Sequence, residues 1–247
     1  MEHGHNKGCP HSIYVTIKPF LFQYYFSKDN WGEQVKSIWE EKGETRYATP
    51  KEVLFRQHQY AKGVFLLHSG KVKIYTTLPD GQCRILYLYS KGALIGYRQV
   101  ISGEQYPVTA EVVEKGIVSY LSAESFLRLT QTVPSFSTSL LEALSLEFTV
   151  WVNQISIFSH YPVRIRLCIC LLILWYKYTH EGRANQPISL SRSNIAEYVG
   201  ASLETVVRHL KYLEDGGYIE RSGRRLWVPV PINLLNVIKR GQSLVSI

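Results

Sequence analysis

Glu204, Thr205, Arg208, His209 and Lys211 lie at helical spacing in the stretch SLETVVRHLKYLEDGGYI, and Arg221, Arg224 and Arg225 follow close behind. Polar and cationic side chains gathered this way suit hydrogen bonding and charge pairing with a polyanion rather than the making or breaking of bonds. The elements that must hold them are legible nearby. Apolar residues at Ile195, Tyr198 and Val199, then after Gly200 at Val206, Leu210 and Leu213, give one face to each of two short helices. Ser191 and Ser202 precede those helices and can accept the free amide hydrogens of a first turn. Gly200 stands at the corner, where a tight reversal favours positive φ. Two helices joined by about four residues make a helix-turn-helix. Residues 218–221 and 225–228, turning at Ser222-Gly223, add a small hairpin or wing that carries the arginines. An ordinary helical hairpin with a solvated basic face explains the amphipathic spacing, but not the arginine cluster beside a polar helix start.

Charge agrees with this reading. The chain holds 28 Lys+Arg against 20 Asp+Glu, a net +8, and residues 161–247 hold 12 basic and 6 acidic, so +6 of the +8 lies there. Concentrated positive charge raises affinity for polyphosphate through counterion release. Enzymatic chemistry finds no support: the histidines are scattered, no Ser-His-Asp or Cys-His pairing can be argued, and no Walker or Rossmann glycine pattern occurs. Cys9, Cys83, Cys168 and Cys170 show no paired spacing, which argues against a disulfide framework, and Cys168 and Cys170 sit in an apolar run as core thiols. His3, His5, Cys9 and His11 could attract a soft metal, yet nothing around them imposes order, so they read as a mobile tail and no metal site is expected. The N-terminus lacks the apolar core of a signal peptide, and the apolar run from Leu167 to Trp175 is far short of the ~18–20 residues of a membrane span. A cytoplasmic protein is expected.

Composition and pattern divide the chain into four regions. Residues 1–45 form an extension with an aromatic-rich run from Ile13 to Phe26 and a short helix from Trp31 to Glu41, both packing against the region C-terminal to them. Residues 46–133 read as β, with strand-like runs at 53–55, 63–67, 71–75, 84–88, 108–113 and 117–121, set apart by turn residues Ser69-Gly70, Pro79-Asp80-Gly81 and Lys115-Gly116. Such spacing predicts an antiparallel barrel or jelly roll able to hold a small ligand. Ser122-Ala123-Glu124 looks like a helix start, and Pro134 opens a long helix to residue 160. Along it Leu141, Leu144, Phe148, Trp151, Ile155 and Phe158 step by 3 and 4 in alternation, the seam of a two-stranded coiled coil. Leu140, Leu146 and Val152 broaden that apolar face, as burial against the helix's own domain would require. Tyr161-Pro162 breaks the helix, and residues 161–247 carry the helix-turn-helix behind a further helix from Val163 to Thr179. The class is α+β: an N-terminal antiparallel jelly roll, a dimerisation helix and a C-terminal winged helix-turn-helix.

This order resembles the CRP/FNR family of bacterial transcription regulators across nearly all of 47–228, and VGASLETVVRHLKYLEDGGYI resembles the family's recognition helix most specifically. The resemblance implies a homodimer bound to double-stranded DNA at a palindrome with TGA-like half-sites, and RNA polymerase as a further partner of an activator. It assigns base readout to Glu204 and Arg208, a carboxylate accepting from cytosine N4 and a guanidinium donating twice to guanine. It assigns phosphate contacts to Ser191, Ser202 and Thr205, with Arg221, Arg224 and Arg225 on the wing. Leu203 replaces the arginine of cAMP-type members, which should change the outermost half-site preference.

The sensor half departs from those members. GALIGYRQVISGEQYPVTAEVV resembles a cyclic-nucleotide cassette, but aligned on Gly96 and Thr109-Ala110 its ribose glutamate is Tyr97 and its phosphate arginine is Val108. A buried phosphate would lose a charge-assisted partner there. The oxygen-sensing branch needs several N-terminal cysteines where only Cys9 is present, so neither an iron–sulfur cluster nor haem is expected. The cassette looks more like that of the branch sensing aromatic acids or halogenated phenols, with Gly96, Tyr97, Arg98, Tyr106, Thr109 and Ala110 as effector contacts, or else like an orphan barrel. The regulator is expected to answer to a small molecule other than cAMP, or to a redox signal, sensed in the barrel. The alternative from another class is a ligand-binding protein or effector-regulated enzyme whose basic C-terminal domain docks a protein partner.

Overall fold

Two strands much longer than the apolar runs that seed them carry the N-terminal body. The computed structural model describes residues 9–22, 32–179 and 186–242, the side chains at 158, 159 and 242 excepted. Contacts divide the chain into two bodies inside the long helix, between Phe148 and Thr149.

The first body, Phe22–Phe148, holds α2 (Glu33–Lys42), β1 (Glu44–Ala48), β2 (Val53–Phe55), β3 (Gly63–Thr77), β4 (Cys83–Tyr89), β5 (Leu94–Ile95), α3 (Tyr97–Ser102), β6 (Thr109–Ser122) and α4 (Ala123–Thr132). It ends in the first part of α5 (Pro134–His160). The sheet runs β1-β6-β3-β4, with β2 on β6 and β5 on β3, and every pairing is antiparallel. The sequence pattern predicts turns at Ser69-Gly70 and Lys115-Gly116, and this is corrected: both lie inside β3 and β6, which pair along their lengths with register shifts at 67–72. The glycines serve close approach rather than reversal. A Cβ on Gly116 would stand 1.9 Å from the Ser69 carbonyl oxygen, so only glycine lets the bulged strands meet there. Pro79-Asp80-Gly81 does turn the chain, closed by Gly81 donating to the Leu78 carbonyl at 2.9 Å. Ser122 caps α4 by accepting from the Ser125 amide, as its sequence start implies. Val64, Leu66, Tyr97, Phe126, Leu129, Phe136 and Leu140 join one core among sheet and helices, with Trp39 of α2 in it.

The second body gathers α6 (Val163–Thr179), α7 (Arg192–Val199), α8 (Leu203–Asp215), β7 (Glu220–Ser222), β8 (Arg225–Trp227) and α9 (Pro231–Gln242). The rest of α5 belongs to it, together with α1 (His11–Ile17) and the 3-10 turn Lys18–Phe20. Every residue from Leu167 to Leu174 is buried, which makes α6 the hub. It packs against α1, α7, α8 and α9, with Tyr14 and Tyr176 ring centroids 5.9 Å apart. The helix α1 therefore packs within the C-terminal body through Ile13 and Ile17, both at 0% exposure, and not on the β region that follows it. No described helix is long and apolar enough to cross a membrane.

Along α5, Leu141, Phe148 and Ile155 are 65%, 70% and 66% exposed, while Leu144 and Trp151 are half-buried. Leu140, Ala143 and Glu147 bury the opposite side in the first body, and Val150, Gln154 and Ile157 do so in the second. Phe158's side chain, and His3 and His5, lie outside the described residues.

Candidate nucleic-acid interface

The helix-turn-helix forms as its caps require. The Ser191 hydroxyl accepts from the Asn194 amide at 3.1 Å and opens α7, and the Ser202 hydroxyl accepts from the Thr205 amide at 3.2 Å and opens α8. Gly200 ends α7 at φ +66°, a left-handed corner that a side chain would resist. Arg166 of α6 donates to the Val199 carbonyl at 3.1 Å, satisfying a free carbonyl at that corner. No local pattern signals this contact, because donor and acceptor are 33 residues apart.

On α8, Val206, Leu210 and Leu213 are fully buried, and the opposite face presents Glu204, Arg208 and Lys211 to solvent. Glu204 and Arg208, four residues apart, therefore share one exposed face at the first turns of the helix. Thr205 is half-buried, its hydroxyl accepting from Ser202 Oγ at 2.9 Å. Partial burial, then the neighbouring Arg208 and Arg164, hold the His209 imidazole below its ordinary value, so it is neutral near pH 7. Arg164 also sits over the Tyr212 ring, 5.5 Å from its centroid.

The wing is β7 paired with β8, turning at Gly223 with φ +59°. Leu226 of β8 also exchanges backbone hydrogen bonds of 2.7 and 3.1 Å with Ile188, tying the wing to the segment before α7. Arg224 and Arg225 are exposed. Arg221 is placed differently from the other two: its Nε donates to Glu214 Oε2 at 2.9 Å and its Nη2 meets the same oxygen. That guanidinium braces the wing against the last turn of α8, and its hydrogen bonds hold the Glu214 carboxyl below the usual carboxylate range. Arg192 adds a second brace, donating to the Gly223 carbonyl at 3.1 Å. Sequence reasoning passed over Arg192, although an arginine at the first position of a capped helix beside a basic hairpin was visible there.

The expected effector residues fall in two places. Gly96 caps α3 at φ +87°, and Tyr97 behind it is 1% exposed, its hydroxyl donating to Glu147 of α5 at 2.9 Å. Arg98 ion-pairs with the same carboxylate. Tyr106 stacks on Phe55 with centroids 3.7 Å apart and donates to the Gly63 carbonyl at 3.2 Å. Thr109 accepts from the Gln57 amide at 3.0 Å, and Ala110 is fully buried. Glu147, which joins Tyr97 and Arg98, was not singled out in the sequence, since it lies in an apolar helix with no motif around it.

Residues 45–133 match the family of cyclic nucleotide-binding domains, and residues 165–235 match the Crp-like helix-turn-helix domain. The chain is 26% identical over 185 residues to the transcriptional activator protein FnrA of Stutzerimonas stutzeri, covering 74% of this chain and 75% of that one. It is 24% identical to the fumarate and nitrate reduction regulatory protein of Escherichia coli strain K12, over 81% of this chain and 76% of that one. Its fold is similar to that of FixK2 from Bradyrhizobium japonicum, with a TM-score of 0.69 at 21% identity over 78% of this chain and 96% of that one. A cyclic-nucleotide-binding-type domain followed by a Crp-like helix-turn-helix identifies this chain as a DNA-binding transcriptional regulator that belongs to the CRP/FNR family.

Proposed function

We propose that the protein is a cytoplasmic homodimer that reads a palindrome with TGA-like half-sites and is controlled by a small molecule other than cAMP. The observation that carries the DNA reading is the exposed α8 face bearing Glu204 and Arg208 beside a wing braced by Arg221 and Arg192. Glu204 and Arg208 read bases, and Ser191, Ser202, Thr205, Arg224 and Arg225 hold phosphates, which fixes register without reading sequence. Arg221, already engaged by Glu214, acts on the wing rather than on DNA. The exposed apolar residues Leu141, Phe148 and Ile155 support pairing of α5 with its copy, with Leu144, Trp151 and Phe158 completing the seam. A two-fold protein then sets its recognition helices about 34–36 Å apart, one turn of DNA. As an activator it would also engage RNA polymerase.

The sensor in this proposal works without cluster or haem. Cys168 and Cys170 are buried in α6, in the second body rather than in the sensor, and pack there as core thiols. Tyr97 and Val108 stand where cAMP-type members carry the ribose glutamate and phosphate arginine, which favours the aromatic-sensing branch. Selection of bound sequences from random duplexes tests the reading: an enriched palindrome with half-sites one turn apart is expected, and no enriched palindrome at any salt concentration would end it.

A further inference from the structure

Tyr97 and Arg98, the cassette residues best suited to an anionic ligand, both meet the Glu147 carboxylate in this structure. Tyr106 lies elsewhere, on the wall of a cavity of about 470 Å³ at the start of β3 and the end of β6. We propose that this cavity is the effector site and that its ligand is a flat aromatic compound bearing one carboxylate. The inference rests on the regulator reading above and deepens it by placing the sensor's ligand.

The walls carry the argument. Phe55, Tyr60, Phe65, Tyr106 and Tyr120 all line the cavity, and its size falls within the roughly 300–1,000 Å³ of small-molecule sites. Rings offer faces and edges to a planar guest. Tyr106 and Tyr120 are fixed, donating to the carbonyls of Gly63 at 3.2 Å and Lys62 at 2.7 Å. Their phenols stay neutral, since burial raises both. Glycine at 63 is what lets Tyr120 lie so close, because a Cβ there would come within 2.5 Å of its ring. No described lining residue is acidic, and Lys62, which is exposed, supplies the cationic side. A guest with a single negative charge at its edge completes this set; a doubly charged or sugar-rich guest does not.

The cavity also has a route to α5 within the same body. The Phe55–Tyr106 stack presses on Gly96, where an added Cβ would stand 3.2 Å from Phe55 and 3.1 Å from the Tyr106 hydroxyl. Gly96 caps α3, and the next two residues of α3 grip Glu147 of α5. A guest that shifts the stack shifts α3, and with it the hold on the helix that carries the seam. The coupling needs no ligand contact with α5 itself.

Calorimetric titration of the full-length protein with phenylacetate, indoleacetate and naphthoate, each against its neutral amide, tests this. At least one carboxylate is expected to bind, with its amide weaker by about fivefold or more. Lys62→Ala should erase that difference, and Tyr60→Ala should weaken acid and amide together; both residues are exposed, so folding is spared. Binding lost in Arg98→Gln but kept in Lys62→Ala would put the ligand in the cassette and overturn the proposal. Silence across the panel would overturn it too. Neither result bears on DNA recognition, which the duplex selection reads separately.

Discussion

Phe148→Ala should dissociate the dimer while leaving the protomer folded. The side chain is 70% exposed in the single chain, more than any other described residue of the seam, so a dimer interface is what would cover it. A phenylalanine offers about 200 Å², so roughly 140 Å² awaits burial, worth about 3.5 kcal/mol per copy at ~25 cal/mol per Å². Two-fold symmetry brings two copies into the interface. Because alanine retains part of the area and a seam position is not wholly enclosed, about half of the doubled value is the expected loss. That is about 3.5 kcal/mol, or roughly two and a half decades in dimer dissociation constant. Sedimentation velocity across a dilution series measures the constant, and thermal unfolding of the monomeric fraction checks the fold. Trp151, a bulkier seam member by sequence, is half-buried in its own chain, so its replacement would mix dimer loss with protomer instability. An unchanged dissociation constant in Phe148→Ala would refute the seam and leave the α5 stripe as exposed surface.

Arg208→Ala should cost about 1–3 kcal/mol on the selected site and relax one base position, whereas Arg225→Ala should weaken all sequences alike and shrink the salt slope by roughly one unit. Binding isotherms at several salt concentrations separate the two, and equal loss of sequence preference in both would defeat the division. The Glu214–Arg221 brace should depend on pH in one direction: a carboxyl held below its ordinary value stabilises fully above about pH 4.5 and stops doing so as pH falls through the folded value. Amide protection in β7 and β8 should therefore be lower in Glu214→Gln than in wild type at neutral pH and converge with it in acid; a constant gap would refute the brace. Millimolar cAMP should leave the melting temperature unchanged, although a true ligand at a hundred times its dissociation constant adds about 2.7 kcal/mol. A clear thermal shift with cAMP would reverse the reading of Tyr97 and Val108.

The recognition half was legible because its signals are local. Ser191, Gly200 and Ser202 act on amides and torsions within four residues, and the stepping of Val206, Leu210 and Leu213 marks the buried face of α8 without reference to any partner. The β region was legible in kind but not in extent. Ser69-Gly70 and Lys115-Gly116 carry turn chemistry, yet each glycine answers to the opposite strand, which a linear reading does not contain. Nothing in the run YRQVIS opposes a helix, but its polar and apolar residues are too few for a period, so α3 stayed hidden.

By itself, then, the amino-acid order determined where α7 and α8 begin, which of their faces are apolar and where positive charge concentrates, since capping, periodicity and charge are properties of neighbours in the chain. Tertiary structure alone decided what the charged and aromatic side chains do. It turned Arg221 onto Glu214, brought Tyr97 and Arg98 to a carboxylate 50 and 49 residues away, and set Tyr106 on the wall of a cavity apart from them. It also carried Ile13 and Ile17 to the C-terminal body, more than a hundred residues along the sequence. A residue's type limits which partners it can take; which partner it meets depends on how packed elements bring distant backbone together, and no spacing along the chain encodes that distance.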